Sequence, residues 1–164
     1  MSLLHDDNEP RRGPGRQLAD LAVHIGDWKL LGEAARAVRL AVFVEEQGIA
    51  PELEMDDRDA TAVHAVAFDA QGVAVATGRL LPDAHIGRMA VLEELRGQGV
   101  GATILRALMT IAASRGDREL QLHAQRSAVG FYERAGFVAQ GEEYIEAGIA
   151  HRRMARRLAS AEPA

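Results

Sequence analysis

Three glycines at alternate positions, Gly97, Gly99 and Gly101, form the segment of this sequence with the clearest chemical meaning. Glycine lets the backbone curl so that successive amide N–H groups point into one concavity, which suits an anion. A helix predicted to begin directly behind the loop adds unpaired N–H groups and a partial positive charge. Arg96 places a full positive charge in front of the loop. This combination fits a pyrophosphate.

Two other phosphate-binding motifs can be compared with this loop by their spacing. A P-loop requires lysine and then serine or threonine after its last glycine, whereas Ala102 follows Gly101 and no lysine is near. A dinucleotide-binding fingerprint tolerates alanine at its last position, so spacing alone leaves it open. That motif should begin a series of parallel units, but the strands predicted before this loop form an antiparallel hairpin. A glycine-rich turn that only caps a core helix also stays open.

The apolar periodicity predicts which elements carry the loop. Strands are predicted at residues 21–25, 62–69, 73–81, 86–91, 120–124, 142–146 and 151–157. Helices are predicted at residues 28–47, 100–115 and 127–134. Asp27 is a predicted N-cap, and Pro51 is expected to prevent the first helix from restarting. This order predicts an α/β fold in which a mixed sheet carries helices on both faces.

The bulk composition is that of one ordinary globular domain. The chain has 164 residues, of which 48% are hydrophobic and 26% charged. We expect a disordered leader at residues 1–17, one domain at residues 18–158 and a disordered tail at residues 159–164. The leader lacks the apolar core of a signal peptide, and no stretch approaches the ~20 apolar residues that cross a bilayer. The sequence therefore predicts a cytoplasmic protein without a membrane partner.

Charge and cysteine content exclude several classes of function. The absence of cysteine excludes disulfides, thiolate metal sites and a cysteine nucleophile. A formal net charge of -5 does not fit the basic surface of a nucleic-acid-binding domain. The acidic run Asp56, Asp57 and Asp59 lacks the glycine and distal glutamate of a calcium loop. We expect no nucleic acid partner and no metal.

Two separate motifs resemble one enzyme family. Residues 96–101 resemble the Arg/Gln-x-x-Gly-x-Gly/Ala signature of the GNAT acetyltransferases, and residues 125–137 resemble that family's Asn-x-x-Ala-x-x-Phe-Tyr-x-x-x-Gly-Phe segment. The distance between the two segments also fits. Residues 38–64 and 144–151 are similar to a bacterial subgroup of small, poorly characterised GNAT proteins. The resemblance covers about residues 18–158.

The resemblance implies a fold and a cofactor. It implies the GNAT fold, a mixed and mostly antiparallel sheet of about six or seven strands with helices on both faces. In that fold the fourth and fifth strands splay apart, and the pantetheine of acetyl-CoA lies between them. The implied cofactor residues are Met89, Ala90, Val91, Arg96, Gly97, Gln98, Gly99, Val100, Gly101, Gln125 and Tyr132. Gln125 stands where the family has asparagine, so we expect altered geometry there.

Acyl transfer to an amine requires a neutral amine, stabilisation of the oxyanion and protonation of the departing thiolate. A strand N–H near Val91 is implied for the oxyanion. Tyr132 matches the family tyrosine that faces the thioester sulfur, and it is the implied general acid. The alternative is that Tyr132 only packs beside Phe131 and Phe137 in the core.

The general base is less well determined by the sequence. The candidates are Glu45, Glu46, Glu54, Asp56, Asp57, His64, His85, His123 and His151. His123 lies in the strand beside the cleft, and the ordinary pKa of its side chain suits a general base. The alternatives are that His123 only packs in the strand and that a chain of water molecules accepts the proton. Glu54, Asp56 and Asp57 are predicted to attract a cationic acceptor, with a solvated acidic face as the alternative.

The resulting hypothesis is an N-acetyltransferase that moves an acetyl group from acetyl-CoA to a primary amine of a small molecule or protein. The alternative is a CoA-binding regulatory module that keeps the fold without turnover. Dimerisation through the last strands is implied by the family alone.

Overall fold

The computed structural model describes residues 20–159. The leader predicted at residues 1–17 and residues 160–164 of the predicted tail lie outside the described residues. The strands are β1 Ala22–Gly26, β2 Val63–Phe68, β3 Ala74–Leu80, β4 His85–Val91, β5 Glu119–Gln125, β6 Val138–Glu146 and β7 Ile149–Arg157. The helices are α1 Trp28–Arg39, which continues as a π-helix at Leu40–Glu46, then α2 Pro51–Glu54, α3 Val100–Ser114 and α4 Val129–Arg134.

The seven strands form one sheet in the order β1-β2-β3-β4-β5-β7-β6. Five of the neighbouring pairs are antiparallel, and β4 with β5 is the parallel pair. The prediction of a mixed, mostly antiparallel sheet is confirmed. A parallel pair needs a crossover connection, and α3 supplies it between β4 and β5.

Helices cover both faces of the sheet, as predicted. Ile104 and Leu108 of α3 pack with Ile86 of β4 and Leu122 of β5 in the main core. Val38 of α1 packs on the opposite face in a smaller cluster. Because neighbouring strand residues point to opposite faces, each strand contributes alternate side chains to the two layers. We call these layers the α3 face and the α1 face.

The first helix begins where the sequence predicted, but the segment that follows it forms a further helix that was not predicted. The backbone N–H of Leu30 donates to the Asp27 side chain at 2.9 Å, which confirms Asp27 as the N-cap. The expectation that Pro51 blocks a helix is wrong, because Pro51 opens α2 at its first position. The fixed φ of proline suits a first helical turn, where its missing N–H has no partner to lose.

Within residues 20–159, no helix is long and apolar enough to cross a membrane. The same part of the chain holds no group of three or more His, Asp or Glu side chains placed to bind a metal ion.

Candidate active site

A cleft opens where β4 and β5 stop pairing. His85 with Gln121 and Ile86 with Leu122 are the registered pairs, and none follows in the described chain. β4 stays paired with β3 as far as Val91, so only its edge toward β5 is free. Unpaired backbone N–H and C=O groups in a strand edge require partners. An extended chain lying in this cleft would supply them, which matches the splayed strands implied by the family resemblance.

The glycine loop is open on the side of its curled backbone. Gly97 and Gly99 have φ of +73° and +84°, and a Cβ added at either would meet no atom within 4 Å. Gly99 is the N-cap of α3 and supplies no side chain to the N–H groups of the first turn. Gly101 differs, since a Cβ there would contact Phe131 and Val91 at 3.4 Å. The first two glycines therefore leave room for an anion, and the third packs α3 closely against its neighbours.

The guanidinium of Arg96 is held by a partner that the sequence did not indicate. It makes a bidentate ion pair with Glu46 at 2.6 and 2.7 Å, and its Nε donates to the Val91 carbonyl at 2.9 Å. The hydrogen bond from Arg96 lowers the pKa of Glu46, which makes Glu46 a poor general base. Because the Arg96 charge is compensated, the loop N–H groups and the α3 N-terminus carry more of the attraction for an anion.

Gln125, the predicted substitute for the family asparagine, is also paired across the site. Its amide and that of Gln47 donate to each other, at 2.8 and 3.3 Å. Gln47 follows the π-helix and Gln125 ends β5. Neighbouring residues Glu46 and Gln47 thus connect the same helix end to the glycine loop and to β5.

Tyr132 lies in the core of the α3 face with 7% of its surface exposed. Its ring contacts Phe131 and Phe137 edge to face, with centroids 5.0 and 5.9 Å away. Burial raises the pKa of its phenol. Within the described residues its hydroxyl has no hydrogen-bond partner, so the donor is available. Tyr132 therefore packs beside Phe131 and Phe137, as the alternative predicted, and this packing leaves its hydroxyl free to donate.

A sequence model described as an acetyltransferase (GNAT) domain matches residues 33–158. The chain belongs to this family. It is therefore an acyl-CoA-dependent N-acyltransferase. An uncharacterised N-acetyltransferase of Bacillus subtilis, YjcF, is 36% identical over 120 residues, which cover 71% of this chain and 86% of YjcF.

Solved structures support the same assignment. An acyl-CoA N-acyltransferase from Pseudomonas aeruginosa superposes with a TM-score of 0.74 at 30% identity, covering 83% of this chain and 99% of that one. Escherichia coli ElaA superposes with the same TM-score at 29% identity, with the same shares covered. The GNAT fold and the enzyme class predicted from the sequence are confirmed.

In this GNAT enzyme, His123 is the first β5 residue beyond the last pair with β4. It is exposed on the α1 face, where its ring stacks on His85 with centroids 6.0 Å apart. Its Nδ1 hydrogen-bonds the hydroxyl of Tyr144. Partial burial is the largest influence on the pKa of His123 and lowers it, in spite of the opposing effect of the Glu146 carboxylate. The imidazole is therefore neutral at neutral pH and able to accept a proton.

Tyr144 of β6 links His123 to β7, and no role for it was predicted from the sequence. It is paired with His151 in the β6–β7 hairpin, and the two rings stack with centroids 5.9 Å apart. His151 Nδ1 lies 2.7 Å from the Ile149 carbonyl, which fixes the orientation of the ring. His85, His123, Tyr144 and His151 form a continuous row on the α1 face, and we call this row the histidine row.

In the acidic loop, residues 52–60, the alternative of a solvated acidic face is wrong for the inner carboxylates. Glu54 and Asp59 are each 3% exposed, and both pair with Arg39. Asp56 makes a bidentate pair with Arg79, at 2.7 Å for both contacts. The hydrogen bonds from Arg79 lower the pKa of Asp56 to about 2.

The structure separates the predicted acceptor-binding carboxylates by their burial. Of the three predicted to attract an acceptor, Glu54 is enclosed, Asp56 is half-buried and Asp57 is exposed. His64, another candidate base, is buried beneath Trp28 and hydrogen-bonds the Asp59 carbonyl at 2.9 Å. His64 is thus a part of the core and lies away from the cleft.

Proposed function

We propose that this GNAT enzyme transfers an acetyl group from acetyl-CoA to a primary amine. The cleft between β4 and β5, opening beside the glycine loop, is the observation that carries the proposal. Acetyl-CoA supplies an acyl group that its thioester activates toward an amine. The residues that would hold it are Met89, Ala90, Val91, Arg96, Gly97, Gln98, Gly99, Val100, Gly101 and Gln125.

A calorimetric titration with acetyl-CoA and with free CoA, followed by an assay of thiol release with a set of primary amines, tests this proposal. Micromolar binding together with amine-dependent thiol release supports it. A folded protein that binds neither ligand contradicts it. Binding without release to any amine favours the alternative of a CoA-binding module without turnover.

The proposed general base is His123. A primary amine is mostly protonated at neutral pH, so attack on the acyl group requires that its proton be accepted by a nearby group. His123 lies at the point where the cleft begins, and the Tyr144 hydroxyl and the His85 ring orient its imidazole. Because its pKa is lowered, the imidazole loses its function as a base only below pH 6.5.

We expect His123→Gln to lower kcat/KM about 10²-fold at neutral pH, because it removes the proton acceptor. We also expect the acid limb of the pH–rate profile to disappear in this variant. The kcat/KM for thiol release between pH 5 and 9 checks both results. His24→Gln, an exposed histidine on edge strand β1, is the matched control and should leave the profile unchanged. A profile shared by wild type and His123→Gln would remove His123 from the mechanism.

The proposed donor to the departing thiolate is Tyr132. Its raised pKa keeps the phenol protonated throughout the working pH range, so it can always donate. The same shift makes full proton transfer to the departing thiolate, whose thiol has a pKa of ~8.5, less favourable. Tyr132 is therefore proposed to stabilise the developing sulfur anion mainly by donating a hydrogen bond.

We expect Tyr132→Phe to lower kcat about 10²-fold and to leave acetyl-CoA affinity and stability almost unchanged. The ring contacts with Phe131 and Phe137 survive this substitution, and the hydroxyl loses no partner within the described residues. Thiol release at saturating substrate gives kcat, calorimetry gives the Kd, and urea unfolding reports stability. An unchanged kcat would exclude the donor role.

The exposed part of the acidic loop is proposed to attract the acceptor amine. Asp57 is exposed, and Asp56 is partly so beside its Arg79 partner. Their carboxylates raise the local concentration of a cationic amine at the α1 face. Glu54 contributes little, because its charge is enclosed with Arg39.

A further inference from the structure

Arg88 occupies a strained position in β4, close to where β5 leaves the sheet. The β3–β4 register shifts between Thr77 and Arg79, so that Arg88 lies in a β-bulge. Its φ is +48°, a left-handed conformation that is strained for a residue with a Cβ. Bulges beside active sites often serve to re-aim a side chain. The bulge turns the Arg88 guanidinium toward the acidic loop on the α1 face.

The contacts of Arg88 with the acidic loop are long. Its Nε lies 3.2 Å from the Glu54 carbonyl, and its Nη2 lies 3.4 Å from Asp56 Oδ2. The Glu54 carboxylate is 3.9 Å from Arg88 and is paired more closely with Arg39. Asp56 is held at 2.7 Å by Arg79. Both nearby carboxylates are therefore neutralised mainly by other arginines.

Arg88 is consequently the most loosely paired arginine of a cluster in which Arg39, Arg79 and Arg88 balance the charges of Glu54, Asp56 and Asp59. Burial, followed by repulsion from Arg79, lowers the pKa of Arg88 in spite of Asp56 and Glu54. The side chain is still 30% exposed, so a ligand can reach the guanidinium. An anion that arrived there would form charge-assisted hydrogen bonds with a group already partly freed from water.

Arg88 also belongs to β4, the strand that borders the proposed cofactor cleft. It is three residues from His85, whose ring stacks on His123. It directly precedes Met89, the first β4 residue assigned to the pantetheine. We propose that Arg88 binds the carboxylate or phosphate of the acceptor, so that the acceptor class is a primary amine that also carries an anionic group. This inference rests on the proposed acetyl transfer.

Matched acceptor pairs test the inference. Alanine and alaninamide differ by a carboxylate, and O-phosphoethanolamine and ethanolamine differ by a phosphate. For wild type we expect kcat/KM to be at least about tenfold higher for the anionic member of one pair, and that pair identifies the oxyanion. We expect Arg88→Gln to lose that preference by lowering kcat/KM for the anionic member alone. Arg88→Lys, which keeps the charge, should retain part of it.

Arg58→Gln is the control, because Arg58 pairs with Asp83 in an exposed bridge and is 48% exposed. It should keep the wild-type preference. Acetyl-CoA binding and thiol release with the neutral amines report on the proposed transfer alone, so their absence would contradict that proposal separately. Equal turnover within both pairs, no turnover with either anionic amine, or an equal loss for both members in Arg88→Gln would overturn the role of Arg88.

Discussion

Replacing Arg39 by alanine is expected to lower the free energy of unfolding by about 3–5 kcal/mol. Arg39 is 1% exposed and is the shared partner of Glu54 and Asp59. Its removal leaves Glu54 in the interior without its main counter-ion and leaves Asp59 paired with Arg79 alone. Breaking a buried ion pair from one side costs far more than the intact pair contributes, because the remaining charge cannot regain its hydration.

Chemical denaturation by urea measures this effect, and Arg58→Ala provides the comparison. Both substitutions remove one arginine from an ion pair, but Arg58 and Asp83 are about half exposed. An exposed pair contributes only ~0–1 kcal/mol, so Arg58→Ala should have little effect. A loss below 1 kcal/mol in Arg39→Ala would contradict the interpretation that Arg39, Glu54 and Asp59 form a buried structural unit.

This network also explains why the acidic loop was misread from the sequence. Five acidic residues within a short segment look like a solvated face when only neighbours in the sequence are considered. Their partners, Arg39 and Arg79, lie on α1 and β3, and each is 15 or more residues away. A local pattern carries no information on which distant cation will neutralise a carboxylate. The same holds for Arg96 and Glu46, which are 50 residues apart.

Other parts of the site could be predicted from the sequence. A two-residue turn at Ala147 and Gly148 between the predicted strands 142–146 and 151–157 would place Tyr144 opposite His151, and this pairing is what the structure has. Strand alternation in β5 then places His123 and Gln125 on one face, with Leu122 and Ala124 on the other. The histidine row therefore follows from periodicity once strands β4, β5, β7 and β6 are known to be neighbours in that order. The adjacency of β5 and β7 is the step that the local pattern lacks.

The strand that carries Arg88 could be predicted from the sequence, but the bulge in it could not. The alternation of residues 86–91 predicts a strand, and the strand is present. A bulge adds one residue to one strand of a pair, so it becomes visible only when the partner's register is known. The strand that carries Arg88 was therefore predicted correctly, but the loose pairing of Arg88 with Glu54 and Asp56 was not.

The largest effect on the cofactor is expected from Gly99→Glu. The new side chain would enter the open space beside a backbone with φ of +84°. Its carboxylate would stand next to the pyrophosphate that we place at the start of α3. Two like charges about 4 Å apart at a protein surface repel by about 4 kcal/mol, which corresponds to a roughly 10³-fold rise in the Kd for acetyl-CoA. Calorimetric titration of wild type and variant measures this change.

Gly116→Glu is the matched control at the other end of α3. Gly116 has φ of +90°, and its Cβ position is equally open, so both substitutions impose the same backbone strain and the same change in charge. The two sites are separated by about 25 Å, the length of 17 helical residues. A negative charge at the N-terminus of α3 also favours the helix, so unfolding would not explain a loss of binding in Gly99→Glu. Equal affinities in the two variants would place the pyrophosphate away from this loop.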